Sequence, residues 1–392
     1  MPDDENHVNK QVIAGNIVLD ETDLTGNTPL GTQFDITNSL ITRNITVAKS
    51  WDDNSYPDAA SLHYKVEVTL KCDDLLVGTS KQPYSAAKII SEADGHGVVY
   101  AGLPVYNASG ALLSYSVEEK PAAAGASADS TDAANLYNVT GAEDSAVTVT
   151  DKKYGYEGSC KVNKDSSSGN AVVRFNILNK LPLTSVKVIK HWDDQSDKYG
   201  IRPHAPDASN ADPLGLTLES RTGSNSWSVP SYSMKQTYPA ASGNTWTYIY
   251  QKLLKYDEEN TAYEFRITES LDGSATHLGG YTDPTYTTRT LSGNDLKTLS
   301  SGSTWDGMTE LNKPLELTNS LDTRNIIVSK QWKDNGNTGY RYNLAITLSN
   351  NKTTNRETKY LASDATQGLL FEGLPKYYSD GSVITYNINL NP

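Results

Sequence analysis

Ile45-Thr-Val-Ala-Lys49-Ser-Trp51-Asp-Asp53 is the stretch from which the fold can be read. Apolar and polar residues alternate with a period of two, the mark of a strand with one buried face. The stretch returns as Val186-Lys-Val-Ile-Lys190-His-Trp192-Asp-Asp194, and again as Ile326-Ile-Val-Ser-Lys330-Gln-Trp332-Lys-Asp334. The lysines stand 141 and then 140 residues apart, so the repeat is one domain long. Residues two apart on a strand share a face. Lys49 therefore points with Ile45, Val47 and Trp51, and Lys190 and Lys330 fall in the same way among the apolar residues of their copies.

Two further blocks repeat with the first. Phe34-Asp-Ile-Thr-Asn38-Ser-Leu40 matches Phe175-Asn-Ile-Leu-Asn179-Lys-Leu181 and Leu315-Glu-Leu-Thr-Asn319-Ser-Leu321, and each Asn precedes the next repeat lysine by 11 residues. Tyr115-Ser-Val-Glu-Glu119 matches Phe265-Arg-Ile-Thr-Glu269 and, more loosely, Tyr386-Asn-Ile-Asn-Leu390. Matching turns lie just upstream: Gly102-Leu-Pro-Val-Tyr106, Lys252-Leu-Leu-Lys-Tyr256 and Gly373-Leu-Pro-Lys-Tyr377. The blocks divide the chain into complete units at 42–181 and 182–321. Residues 1–41 hold the last part of a unit, and 322–392 the first part of another. The intervening Thr/Tyr/Val-rich runs, broken by Gly, Pro, Asn and Asp, lack a helical period. The small, polar run from Ala122 to Ala134 reads as a loop. The expectation is an all-β chain of tandem sandwiches.

Parity aims Glu119, Glu269, Asn38, Asn179 and Asn319 inward as well. Lys and Glu are almost never buried unless paired. A buried salt bridge with an Asn hydrogen bond, or lysines that reach out at strand ends, would satisfy a single copy. The recurrence of all three residue types in register favours chemistry. Burial lowers a lysine pKa and raises that of a carboxylic acid. A neutral amine is a nucleophile, and a protonated Glu can polarise an Asn carboxamide and carry the proton to departing ammonia. Folding supplies the proximity. The product is an amide between the first and last strands, made once.

The V-x-K-x-W-x-D strand, the L-P-x-Y turn, the Y-x-V-x-E strand and the closing I-T-N-S strand together resemble the B-type repeat of collagen-binding surface adhesins, the Cna-B family. The resemblance covers essentially the whole chain. It implies immunoglobulin-like sandwiches of the kind that serve as stalk modules and pilins on Gram-positive bacteria. It also implies two triads, Lys49/Glu119/Asn179 and Lys190/Glu269/Asn319, with Lys and Asn bonded and Glu catalytic, and the trailing tryptophans packing beside the bond. Both complete units are long for the family, so loops such as 120–146 and 195–213 are expected to be enlarged. In the third unit Leu390 stands at the acid position.

Acids exceed bases by 47 to 34, for a net charge of −13, which argues against nucleic acid or an anionic membrane as partner. Hydrophobic residues make up only 37%, and 24 Tyr against 4 Phe give a hydroxyl-rich surface suited to an extracellular setting. No signal peptide and no bilayer-spanning stretch is read. Cys72 and Cys160 are the only cysteines, and their pairing is left open. The six histidines lack metal-ligand spacing, and no cofactor or metal is expected. Asp52, Asp53, Asp193 and Asp194 read as solvated turn acids in preference to calcium ligands. Leu181-Pro-Leu-Thr-Ser185 is like a sortase signal but reads as an inter-domain linker. The functional expectation is a stalk or fibre subunit on the cell surface and not a turnover enzyme. The alternative is a module that binds a host protein or glycan through its loops. Residues 1–41 and 322–392 total 112, enough for a compact sandwich. Head-to-tail completion by copies of the chain is therefore one expectation, with Lys330 bonding Asn38 of a neighbour and Asp3, Asp4 or Glu5 replacing the missing acid. A cut from a longer tandem array is the other.

Overall fold

The computed structural model describes residues 9–11, 38–132, 143–145, 147–165, 172–205, 213–239, 243–269, 278–298, 313–350 and 357–391. These form two compact units, 1–182 with 256–260, and 183–255 with 261–392.

In the first unit, β1 (Asn9–Gln11) and β2 (Asn38–Leu40) form a short antiparallel pair. A sandwich follows from β3 (Thr42–Asp52), β4 (Val66–Val77), β5 (Gln82–Ile90), β6 (His96–Pro104), β7 (Ser116–Pro121), β8 (Thr131–Asp132), β9 (Glu143–Ser145), β10 (Thr148–Val149), β11 (Glu157–Asp165) and β12 (Val172–Lys180). One sheet has the order β10-β7-β4-β5 and the other β8-β6-β3-β12-β11-β9. Strand alternation builds the core. Val66, Val68, Leu70 and Cys72 of β4, Ile45 and Val47 of β3, and Phe175 and Ile177 of β12 are all buried. The first and last long strands, β3 and β12, are neighbours and run parallel. Cys72 and Cys160 are buried and unpaired, and burial raises both thiols, that of Cys160 to about 11. They are inert packing residues. The run 122–134, read as a loop, contains the two-residue strand β8; residues 133 and 134 lie outside the described set.

The second unit repeats this plan. It contains β13 (Leu183–Asp193), β14 (Leu216–Thr222), β15 (Met234–Pro239), β16 (Thr245–Leu254), β17 (Tyr263–Glu269), β18 (Thr285–Thr288), β19 (Thr290–Leu291) and β20 (Leu315–Ser320). The sheets are β15-β16-β13-β20-β18 and β14-β17-β19, and β13 and β20 are again parallel neighbours. Leu181–Ser185, read as an inter-domain linker, contains the division between the two units at Pro182 and Leu183; it is buried, and β13 begins within it.

The third copy supplies β21 (Thr323–Val328), β22 (Leu344–Asn350), β23 (Glu357–Leu361), β24 (Leu369–Pro375) and β25 (Tyr386–Asn391), in sheets β21-β24 and β23-β22-β25. The sequence reading carries this first strand through Lys330 and Trp332, but it stops at Val328. β3 and β13 run on to Asp52 and Asp193 because a parallel partner pairs with them to the end. Among the described residues, β21 has only β24.

The repeated turns have a common geometry. Gly102, Lys252 and Gly373 all take positive φ, at 68°, 54° and 65°. Each is followed by an irregularity in pairing with the first strand, between Arg43 and Ile45, Thr184 and Val186, and Arg324 and Ile326. The left-handed conformation explains glycine at two of the three sites. No helix among the described residues is long and apolar enough to cross a membrane.

Candidate functional site

The pleat delivers the three inward polar residues to one place in each complete unit. In the parallel ladder Lys49 stands opposite Ile177 and Trp51 opposite Asn179. Lys49 and Asn179 therefore share a face of the β3–β12 pair, and Glu119 approaches from β7 on the other sheet. Lys49 and Asn179 are fully buried and Glu119 is 1% exposed. The Lys49 amine lies 3.8 Å from Glu119 Oε2, and Asn179 Nδ2 donates to Glu119 Oε1 at 2.6 Å. Lys49 also donates to the Ser50 carbonyl at 3.2 Å. Gly158, opposite Asn179 on β11, leaves room for Val149 to cover the carboxamide.

The second unit reproduces the arrangement. Lys190 stands opposite Leu317, and Trp192 opposite Asn319. Lys190 donates to Glu269 Oε2 at 3.0 Å, and Asn319 Nδ2 donates to Glu269 Oε1 at 2.8 Å. The Lys190 and Glu269 side chains are 0% and 1% exposed.

Burial sets the electrostatics. Loss of hydration pushes the Lys190 amine down to about 8, against the upward pull of Glu269. It lowers Lys49 and raises Glu119 in the same way, so both members of that pair are driven toward neutrality. Among the described residues, neither Asn179 Oδ1 nor Asn319 Oδ1 has a hydrogen-bond partner. Turning either carboxamide by half a rotation exchanges Nδ2 for Oδ1 at the glutamate, where a protonated carboxyl would donate to it.

Among the described residues, the third copy brings no such set together. Lys330 is half-buried and donates to the carbonyls of Tyr342 and Ala362, both at 3.3 Å. Leu390 is 57% exposed. Asn38 lies in β2, and its side chain is outside the described set, as are Asp3, Asp4 and Glu5.

The sequence reading missed a second tier of residues. Asp194, taken there as a solvated turn acid, is 3% exposed. It accepts from Arg202 Nε at 2.8 Å and from the Tyr281 hydroxyl at 2.7 Å. Burial opposes its ionisation, but the Arg202 and Tyr281 hydrogen bonds outweigh burial and hold the carboxyl below its usual range. Asp53 accepts from the Tyr156 hydroxyl at 2.6 Å and lies 3.0 Å from His63 Nε2. The signal was present in the repeated Trp-x-Asp and in Gly155-Tyr156 and Gly280-Tyr281.

Two packed sheets, closed by a parallel pair of first and last strands around a buried Lys/Glu/Asn set, define an immunoglobulin-like β-sandwich module. The Cna protein B-type domain model matches residues 45–142, 186–291 and 326–391, which is more than half of the chain, and the chain belongs to that family. A search among curated proteins found no match. Among solved structures, the chain is similar to two B repeat units of the collagen binding protein of Staphylococcus aureus. Identity there is 18%, covering 90% of this chain and 69% of that one, with a TM-score of 0.27. It is also similar to the pilus adhesin SpaC of Lactobacillus rhamnosus GG, at 14% identity over 90% of this chain, with a TM-score of 0.29. It spans 41% of that adhesin's length.

Proposed function

We propose that the chain is a structural segment of a bacterial cell-surface fibre, pilus or adhesin, whose domains 42–181 and 182–321 each lock themselves with one Lys–Asn amide bond. The observation that carries this reading is the double occurrence of a buried lysine, glutamate and asparagine, the asparagine hydrogen-bonded to the glutamate and the lysine amine 3.8 Å from it in the first domain and 3.0 Å in the second. The neutral amine of Lys49 or Lys190 attacks Cγ of Asn179 or Asn319. The Nζ–Cγ bond forms, the Cγ–Nδ2 bond breaks, and the proton lost from Nζ passes through Glu119 or Glu269 to the departing ammonia. The glutamate is unchanged at the end, yet each site reacts once, so the chain is not a turnover enzyme. The setting that suits such a module is extracellular, where resistance to pulling and proteolysis matters.

Intact-mass measurement tests the reading. The expected chain is two ammonia molecules lighter than its sequence, one assigned to each domain by peptide mapping. A mass equal to the unmodified sequence would overturn it.

The third copy supports an extension of the same reading. The outer edge of β21 is open among the described residues, and Ile388 and Leu390 are 45% and 57% exposed. This is the face that a closing strand covers in the complete domains. A strand of the type found in 1–41, brought by another copy of the chain, would complete it head to tail and set Asn38 beside Lys330. Denaturing electrophoresis of concentrated protein reads this out. A ladder lost in Lys330→Ala supports a covalent fibre. Monomers alone, with monomeric sedimentation, remove the extension and leave the intradomain bonds standing.

A further inference from the structure

We infer that the Asp53–Tyr156 and Asp194–Tyr281 hydrogen bonds are positioning links for amide formation, each fixing the tryptophan ring that covers the reacting lysine amine. The inference rests on the amide-forming reading above and deepens it. The aspartate lies two residues beyond the tryptophan on the strand that carries the lysine. The tyrosine follows a glycine of positive φ, 71° at Gly155 and 86° at Gly280, in the segment leading back toward the closing strand. Tyr281 pairs directly with Leu321 at the end of that strand. The hydroxyl–carboxylate bond therefore ties the end of the lysine strand to the return path of the asparagine strand, beside the Trp–Asn pair of the ladder.

The ring geometry shows what the link holds. Tyr156 meets Trp51 edge-on at 4.7 Å and 70°, and Tyr281 meets Trp192 at 5.0 Å and 65°. The Lys49 amine lies 3.9 Å from the Trp51 ring centroid and the Lys190 amine 4.9 Å from that of Trp192. The indole thus touches both a hydrogen-bonded tyrosine and the nucleophile. It closes the amine off from water while leaving it able to move toward Cγ.

The two domains give the aspartate a different second partner. In the first, His63 stacks on Trp51 at 4.5 Å and 11° and meets Asp53. In the second, Arg202 binds Asp194 and stands 5.7 Å from the Trp192 ring. The Asp–Tyr bond is common to both domains, whereas this second partner changes from His63 to Arg202. The third copy shows the unlinked arrangement. Asp334 is held by Arg341 at 2.6 Å, with no tyrosine bonded to it among the described residues. There Trp332 donates its Nε1–H to the Ser363 carbonyl at 3.1 Å, and the Lys330 amine, 4.4 Å from the ring centroid, stays half-buried where Lys49 and Lys190 are fully buried.

The test follows ammonia loss from each domain of newly translated full-length chain by timed quenching and peptide mass. Tyr281→Phe removes only the hydroxyl. It is expected to slow the reaction in 182–321 about ten-fold or more, while 42–181 on the same chain keeps its wild-type rate. Tyr156→Phe should give the mirror image, which keeps the test decisive if one variant folds poorly. A double-mutant cycle separates positioning from general loosening. If the hydroxyl acts through the ring, Trp192→Leu with Tyr281→Phe is no slower than Trp192→Leu alone. Wild-type rates in both Tyr→Phe variants, or fully additive slowing in the cycle, overturn the link. A wild-type chain that loses no ammonia overturns the amide reading itself.

Discussion

A lysine held in a dry core prefers to lose its proton, and this has a measurable consequence in a chain that cannot react. Asn319→Ala removes the electrophile and leaves Lys190 as an amine. Its folded value of about 8 lies below the ordinary 10.5, so the unfolded chain binds the proton more tightly. The burial penalty is then fully present below pH 8 and is relieved as pH rises toward 10.5. Domain 182–321 of Asn319→Ala should gain stability over that window, by up to about 3 kcal/mol. Where the wild-type Nζ is an amide nitrogen, this gain disappears. Melting curves of the two proteins between neutral and alkaline pH check the difference. Glu269→Gln probes the acid. The amide can still hydrogen-bond to Asn319 but cannot shuttle a proton, so ammonia loss from that domain should fall by about 100-fold or more, as read by intact mass.

At the scale of the element, the parallel ladder decides where a strand ends and how closely the reacting groups approach. β3 and β13 are each 11 residues long, against 6 for β21, although the three sequences alternate alike. The extra length coincides with pairing to β12 and β20, which holds the strand extended to the aspartate after the tryptophan. Cover from the far side depends on Gly158. A Cβ there would run into Val149 and come within 3.4 Å of Asn179 Oδ1. Gly158→Ala should push β10 away from β11, lower the stability of the unbonded domain by about 1–3 kcal/mol, and slow bond formation at Asn179. Denaturant melts in a Lys49→Ala background measure the first effect, and timed mass measurement of the single variant measures the second. Unchanged melts and kinetics would show that the neighbouring strand yields.

For the whole molecule, the proposed bonds would have a mechanical consequence. A pull on a sandwich whose first and last strands are parallel neighbours shears the hydrogen bonds between them. An amide from Lys49 to Asn179 carries the load past that ladder, and the chain between the two residues cannot extend. Single-molecule stretching should therefore show no long unfolding step from the two locked domains. Lys49→Ala should restore one such step, on the order of 400 Å, from the first domain alone. The same cross-link would close a long loop in the unfolded chain, so Lys49→Ala and Lys190→Ala should each cost their own domain about 5 kcal/mol by the loop-entropy argument. Two separated thermal transitions, one shifted per variant, would register this.

Much of this arrangement is written locally. Period-two alternation settles which side of a strand is buried, so it placed Lys49, Glu119 and Asn179 on inward faces without knowledge of their partners. The repeat did the same for Lys190, Glu269 and Asn319, and the all-β architecture followed from the same pattern. Tertiary structure alone decided the rest, because it depends on residues far apart in the chain. Asp53 meets Tyr156 across 103 residues and Asp194 meets Tyr281 across 87. No local pattern tells a clamped aspartate from a solvated turn acid, since burial there comes from the returning segment. The halt of β21 at Val328 has the same origin. The strand signal in Ile326-Ile-Val-Ser-Lys330 is as regular as in the other copies, but backbone hydrogen bonds need a partner strand, and only the assembled sheet supplies one.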